Sequence, residues 1–286
     1  MLYCRVHLGR VAINLLCIVL VLTTGCSVAV DSNRQQCTTD NDCSRRGAQF
    51  IGSICAESIC TEPSTWSCLG SVVWPTPQTS TVTATLYLKD LVTDEPVAGV
   101  SAKVCRKLDT ACEQPVTTGL VSDASGALVI QAQAGFDGYV EISPSNRLRG
   151  SYYFYPPLTS DRKVPYVPLL SMAALTAWAS SVGTQLIADR SHVFIGTYNC
   201  QSQPATGVRF RSNDSDVATV PFYLIKRVPS MTATATDSDG RGGMLNLRPG
   251  SVTLRGELPT GESIGTVSVV LRQGEVTYTS LLPAPM

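Results

Sequence analysis

The stretch Thr81–Lys89 reads TVTATLYLK. Its apolar residues Val82, Ala84, Leu86 and Leu88 fall at every second position, the period that places side chains on one face of a β-strand. Val100, Ala102 and Val104 repeat the alternation, as do Leu128 with Ile130 and Val140 with Ile142. Glycines and turn residues punctuate the runs roughly every 8–12 residues, which predicts an antiparallel β-sandwich rather than βαβ units.

A second copy of the pattern follows. Pro96-Val97-Ala98-Gly99-Val100 matches Pro204-Ala205-Thr206-Gly207-Val208, and Asp123-Ala124-Ser125-Gly126 matches Asp237-Ser238-Asp239-Gly240. A glycine comes next in each copy, Gly135 and Gly250, and then a further strand, Tyr139 to Ser143 and Val252 to Arg255. P-x-x-G makes a turn that feeds a strand. D-x-x-G makes a tight hairpin turn, in which aspartate bonds its own backbone and glycine takes a positive φ. Shared order with loose spacing predicts two homologous sandwiches rather than a solenoid.

These two elements, in order and present twice, resemble the carboxypeptidase regulatory-like domain over residues 80–145 and 193–280. The resemblance implies a transthyretin-like (prealbumin-like) fold of about seven antiparallel strands per copy. It also implies an accessory, stabilising or binding role without catalytic residues.

Between the copies, Asp161-Arg162-Lys163, Pro165 and Pro168 predict a linker. Within it, Ser171 is positioned to cap a short helix over 172–182, with Met172, Leu175, Ala179 and Val182 at helical spacing, Trp178 beside them and Gly183 as terminator. Such a stripe predicts a helix docked on a sandwich; a membrane- or partner-binding helix is the alternative.

The chain has 286 residues, of which 22 are basic and 22 acidic, only 15% charged in all. A disordered chain needs high charge and little apolar content, and nucleic-acid binding needs a basic surface, so neither is expected. His7 and His192 are the only histidines, which removes most routes to histidine catalysis or His-rich metal sites.

Arg5 and Arg10 precede an apolar run from Val11 to Leu22, broken only by Asn14. Its length fits a signal-peptide core and falls short of the ~20 residues that span a bilayer. Thr23-Thr24-Gly25-Cys26 resembles the lipobox of bacterial lipoproteins. It departs from the family at Thr23, where leucine is usual and where Leu22 sits one place early. The resemblance implies cleavage before Cys26 and acylation of that residue. Ser27 in place of aspartate implies the outer membrane. Two alternatives stay open: cleavage after Ala29, giving a soluble secreted or periplasmic protein, and an uncut span over Val11–Val30. Loss of Arg5 and Arg10 would leave 20 basic and 22 acidic residues, a charge near −2.

Eight cysteines remain beyond Cys26: Cys37, Cys43, Cys55, Cys60, Cys68, Cys105, Cys112 and Cys200. An even count outside the cytosol predicts disulfides. The first four have C-x5-C-x11-C-x4-C spacing in a stretch too short and polar to bury a core, so it needs staples. A zinc site would favour tight C-x2-C pairs, and none occurs here. Four cysteines allow three pairings. Resemblance to small knotted extracellular modules implies Cys37 with Cys55 and Cys43 with Cys60. Cys105 with Cys112 suits a hairpin staple, and Cys68 with Cys200 follows by elimination.

Among candidate sites, Asp237-Ser238-Asp239-Gly240 opens like a calcium loop, but position 12 is Arg248 where an acid is required, so a hairpin turn is expected. Asn213, Asp214 and Asp216 read as a loop tip. In Tyr152-Tyr153-Phe154-Tyr155 one alternating pair should be core; Tyr153 and Tyr155 are the candidate ligand platform. Trp66 and Trp74 flank Cys68 and are expected to cover the bottom of the first sandwich. Gly261-Glu262-Ser263-Ile264-Gly265 and Ser160-Asp161-Arg162-Lys163 match the G-x-S-x-G and S-x-x-K spacings, but a strand pattern rather than a helix follows the first, against the strand-to-helix turn that a nucleophile needs there, and Glu141, Glu257 and Glu262 form no recognisable carboxylate pair.

The reading is a mainly β chain with six parts, its two sandwiches antiparallel. The six are a signal peptide (1–25), a lipid-anchored tether (26–36), a disulfide module (37–68), a first sandwich (80–158), a linker (159–191) with its helix over 172–182, and a second sandwich (192–281). It predicts a non-enzymatic exported lipoprotein at the outer membrane or cell surface, with no metal, cofactor or nucleic acid. Its partners would be the membrane, through the lipid, and a glycan, peptide or protein. The alternative is a secreted carbohydrate- or peptide-binding protein.

Overall fold

The computed structural model describes residues 35–47, 50, 53–61 and 64–285. The expected signal peptide, Cys26 and tether residues 26–34 lie outside the described residues. The chain divides after Pro63 into two units.

In the first unit, helix α1 (Asp40–Ser44) is followed by a hairpin of β1 (Ile54–Ala56) and β2 (Ile59–Thr61). Little apolar surface is available, and two bridges, Cys37–Cys55 and Cys43–Cys60, tie the hairpin to the helical segment. The Asp42 carboxylate accepts from Thr39 N at 2.8 Å and Thr38 N at 2.9 Å, fixing the helix entry. Hydrogen bonds led by that from Thr38 hold its carboxyl well below the usual range. Cys68, expected in this module, belongs to the second unit.

The second unit is almost all β. Its first half contains β3 (Thr81–Asp90), β4 (Ser101–Arg106), β5 (Thr117–Val121), β6 (Ala127–Gln133), β7 (Gly138–Ser143), β8 (Gly150–Tyr153) and β9 (Arg162–Leu169). Helix α2 (Met172–Ser181) follows. The second half contains β10 (Ser191–Thr197), β11 (Arg209–Ser212), β12 (Val220–Ile225), β13 (Val228–Ser230), β14 (Arg241–Leu247), β15 (Gly250–Glu257), β16 (Ser263–Leu271) and β17 (Val276–Leu281).

The sequence repeat is visible as matching hydrogen bonds. Gly99 and Gly207, at φ +73° and +82°, start the turns into β4 and β11. Ser122 Oγ accepts from Val100 N at 3.0 Å and donates to the Val97 carbonyl at 2.8 Å. Thr236 Oγ1 does the same for Val208 N and the Ala205 carbonyl, at 3.0 and 2.6 Å. Gly126 and Gly240 donate back to Asp123 and Asp237. A Cβ at either would strike backbone, at Leu88 O or Thr197 O, so both turns require glycine.

The sheets are not those of two separate sandwiches. One sheet of nine strands runs β13-β12-β14-β10-β17-β8-β7-β4-β5, and two three-stranded sheets run β6-β3-β9 and β11-β15-β16. The last strand, β17, pairs in parallel with β10 on one side and with β8 on the other, in the register Val276↔Gly150 to Tyr278↔Tyr152. It therefore joins a sheet of the first half to one of the second.

Alternation along the shared strands feeds two cores. Val140, Ile142, Tyr152, Phe154, Phe194, Phe222 and Tyr278 join the side chains of β3, β6, β9 and α2 in one core. Tyr139, Tyr153, Val193, Ile195 and Tyr223 join those of β11, β15 and β16 in the other.

The expected linker 159–191 holds a strand. β9 pairs in parallel with β3, burying Val167 and Leu169. Its prolines, Pro165 and Pro168, signal a break in sequence, yet β9 is a sheet edge, where a missing N–H costs nothing. The helix runs from Met172 to Ser181, with Ser171 Oγ accepting from Ala174 N at 3.1 Å. Leu175 and Ala179 are buried, and Trp178 packs 5.4 Å from Phe194 and 6.1 Å from Phe222. Helix α2 is thus docked on the sheet, and no helix among the described residues is long and apolar enough to cross a membrane.

Candidate functional site

All eight cysteines of the described residues are bonded: Cys37–Cys55, Cys43–Cys60, Cys68–Cys200 and Cys105–Cys112. The sulfurs of Cys37, Cys43 and Cys60 lie close together, and those of Cys105 and Cys112 lie near Glu141. Each is committed to a disulfide, which leaves no thiolate for a metal or a nucleophile.

The candidate platform Tyr153 and Tyr155 is a correction. Tyr153 is 2% exposed, stacks on Tyr139 at 4.9 Å between ring centroids, and its hydroxyl accepts from Val270 N at 3.0 Å. Burial pushes its pKa up to about 12. Tyr155 is half-buried, edge-on to Trp74 at 5.6 Å. The two do share one face, as their spacing requires. β8 lies inside the nine-stranded sheet with Tyr152 facing one core and Tyr153 the other, so both of its faces are buried. Trp66 packs against the core that β11, β15 and β16 share with Tyr139 and Tyr153 of the first half, and Trp74 packs on Tyr155.

Beside Tyr139 lies a network of charges. Glu141, 5% exposed, meets Lys103 Nζ at 2.8 Å and Arg272 Nη2 at 2.9 Å. Arg272 also donates to Tyr139 Oη at 2.8 Å and Ser151 Oγ at 2.9 Å. These ion pairs and hydrogen bonds link the two halves across their junction, an arrangement that holds structure together. His192 is buried in β10 and its Nδ1 accepts from Asn246 N at 3.3 Å. Burial lowers its pKa to about 4, and that nitrogen is already occupied. Both Asp237 oxygens accept backbone N–H groups, from Asp239 at 2.9 Å and Lys226 at 2.7 Å, as a turn aspartate does.

The concave site of the second unit lies where β9 and α2 meet the shared sheet. It is a cleft of about 300 Å³. Strand alternation sends Tyr152, Phe194, Tyr278, Leu224 and Arg241 to its floor. Val164 and Tyr166 of β9 and Trp178 of α2 form walls, with Tyr198, Arg227, Leu91 and Asp94 at the mouth. Phe194 and Tyr278 stand 5.9 Å apart, and the Arg241 guanidinium sits 4.9 Å above the Tyr166 ring. Gly196 leaves the floor open beside Tyr198. Trp178 and Tyr152 stood out in the sequence; Tyr166, Tyr198, Tyr278 and Arg241 did not, because only the strand order brings them together.

No protein-family model and no curated protein matches the chain. Solved structures match at low similarity. The Bacillus anthracis TIE protein is 8% identical with a TM-score of 0.26, over 71% of this chain and 34% of that one. BcpA, the major pilin subunit of Bacillus cereus, is 8% identical with a TM-score of 0.27, over 71% of this chain and 100% of that one. A Streptococcal ancillary pilin is 16% identical with a TM-score of 0.25, over 73% of this chain and 64% of that one. The chain thus spans about a third of the TIE protein's length. Likeness at this level does not extend to function.

Proposed function

We propose that this chain is an exported, non-catalytic lipoprotein, held to the membrane through Cys26, that presents a rigid β scaffold at the outer membrane or cell surface. The observation that carries the reading is the set of four disulfides, which uses every cysteine among the described residues; such bridges persist outside the cytosol. The non-catalytic part is supported by the commitments of the reactive groups. His192 is buried and engaged, and Glu141 is locked between Lys103 and Arg272. A single acyl chain binds marginally, whereas the set that the lipobox resemblance implies would anchor stably.

Labelling cells with an alkyne fatty acid tests the anchor. The wild-type chain should carry label and pellet with membranes, and Cys26→Ala should lose both. An unlabelled wild-type chain released into the medium would refute the anchor and leave the secreted alternative.

A further inference from the structure

We propose that the cleft between β9, α2 and the shared sheet binds a small organic anion with a flat apolar body, its charged end held by Arg241 and Arg227. The site is independent of the lipid anchor. Its volume, about 300 Å³, is that of a small-ligand pocket and too small for a folded partner or a long peptide. Rings line it: Tyr152, Tyr166, Trp178, Phe194, Tyr198 and Tyr278. Such surfaces take a flat ring by offset or edge contacts.

Charge selects the class of ligand. Among the described residues neither Arg241 nor Arg227 forms an ion pair; Arg241 rests on the Tyr166 ring alone. The only acid at the cleft, Asp94, is answered by Lys89 at 3.4 Å. Two guanidiniums without carboxylates, beside an apolar cavity, complement a carboxylate, sulfonate or phosphate, which arginine binds through paired N–H donors. The lining hydroxyls of Tyr152, Tyr166, Tyr198, Tyr278, Thr279 and Ser280 can donate to the same ligand, and the two guanidiniums outside any ion pair favour a charged acceptor over a neutral sugar.

Isothermal titration calorimetry on the purified, disulfide-intact chain tests this with naphthalene-2-carboxylate, its uncharged analogue naphthalene-2-methanol, and chitotriose. The carboxylate should bind saturably, one per chain, and at least roughly tenfold more tightly than the alcohol, the scale of one charge-assisted hydrogen bond. Arg241→Gln should bring the carboxylate down to the level of the alcohol and leave the alcohol unchanged. Arg227→Gln, at an exposed position, should weaken the carboxylate alone and serves if Arg241→Gln does not fold. Gly196→Leu should block both naphthalenes. Its Cβ meets the Tyr198 ring at 3.6 Å, an ordinary contact, so the side chain fills the cleft without backbone strain. Equal affinity for carboxylate and alcohol, preference for chitotriose, indifference to both arginine substitutions, or no saturable binding of the carboxylate would each overturn the proposal.

Discussion

Replacing Tyr153 tests whether the two halves of the second unit are joined through a core to which both contribute. Its ring lies on β8, in the first half, and its hydroxyl accepts from Val270 N on β16, in the second, at 3.0 Å. Tyr153→Phe leaves that N–H unpartnered, a loss of about 1–2 kcal/mol. Tyr153→Ala also removes a ring that is 2% exposed and stacked on Tyr139, and large-to-small changes of that kind cost about 3–5 kcal/mol. In a unit of this size 1 kcal/mol moves Tm by about 2–4 °C. The expected falls are therefore roughly 2–8 °C for Tyr153→Phe and 6–20 °C for Tyr153→Ala. Thermal melts followed by near-UV circular dichroism should show one transition that moves as a whole. A Tyr153→Ala variant within about 2 °C of wild type, or a two-step melt in which only one step moves, would refute the reasoning.

His192 and the longest bridge give two more expectations. Burial lowers the His192 pKa from 6.5 to about 4. The unfolded chain takes up a proton below about pH 6.5 and the folded chain does not until about pH 4, so stability held above that window is lost as pH falls through it, by roughly 3 kcal/mol. Urea titrations at pH 7 and pH 4 should show the loss, and His192→Asn, which keeps an acceptor for Asn246 N, should reduce it; an unchanged pH dependence would contradict the assignment. Cys68–Cys200 closes a separation of 132 residues, and the double serine variant should lose about 2–5 kcal/mol and become sensitive to proteolysis between residues 64 and 80. Resistance equal to wild type would show that the strap is held by other contacts.

Much of the strand pattern was legible because it rests on local chemistry. Alternation at Val82, Ala84, Leu86 and Leu88 reports a half-buried strand whatever its neighbours are. The P-x-x-G-V and D-x-x-G elements mark turns whose glycines must adopt positive φ, and their repetition appears in space as matched bonds at Ser122 and Thr236. Disulfide bonding followed from an even cysteine count behind a segment that reads as an export signal.

What could not be read was long-range. Nothing near Val276–Leu281 says that this strand inserts between β10 and β8, and alternation alone does not tell that both faces of β8 are buried, so Tyr153 was a candidate platform residue when it is interior. Pro165 and Pro168 argued for a linker, since sequence does not reveal which strand is an edge. The cleft was hidden for the same reason: its arginines and rings lie on β8, β9, α2, β14 and β17, on and just after β10, and in the turn between β12 and β13, more than 120 residues apart at the extremes, and the sheet order assembles them.

The account as a whole depends on export into an oxidising compartment and on sulfur bridges that staple a shared sheet. Intact mass of the protein purified from the cell envelope, treated with an alkylating agent before and after reduction, tests this most directly. The account predicts no alkylation of the native chain, eight alkylations after reduction, and a mass that begins at an acylated Cys26. A native chain that takes up alkylating agent at Cys37, Cys43, Cys55, Cys60, Cys68, Cys105, Cys112 or Cys200 would contradict it.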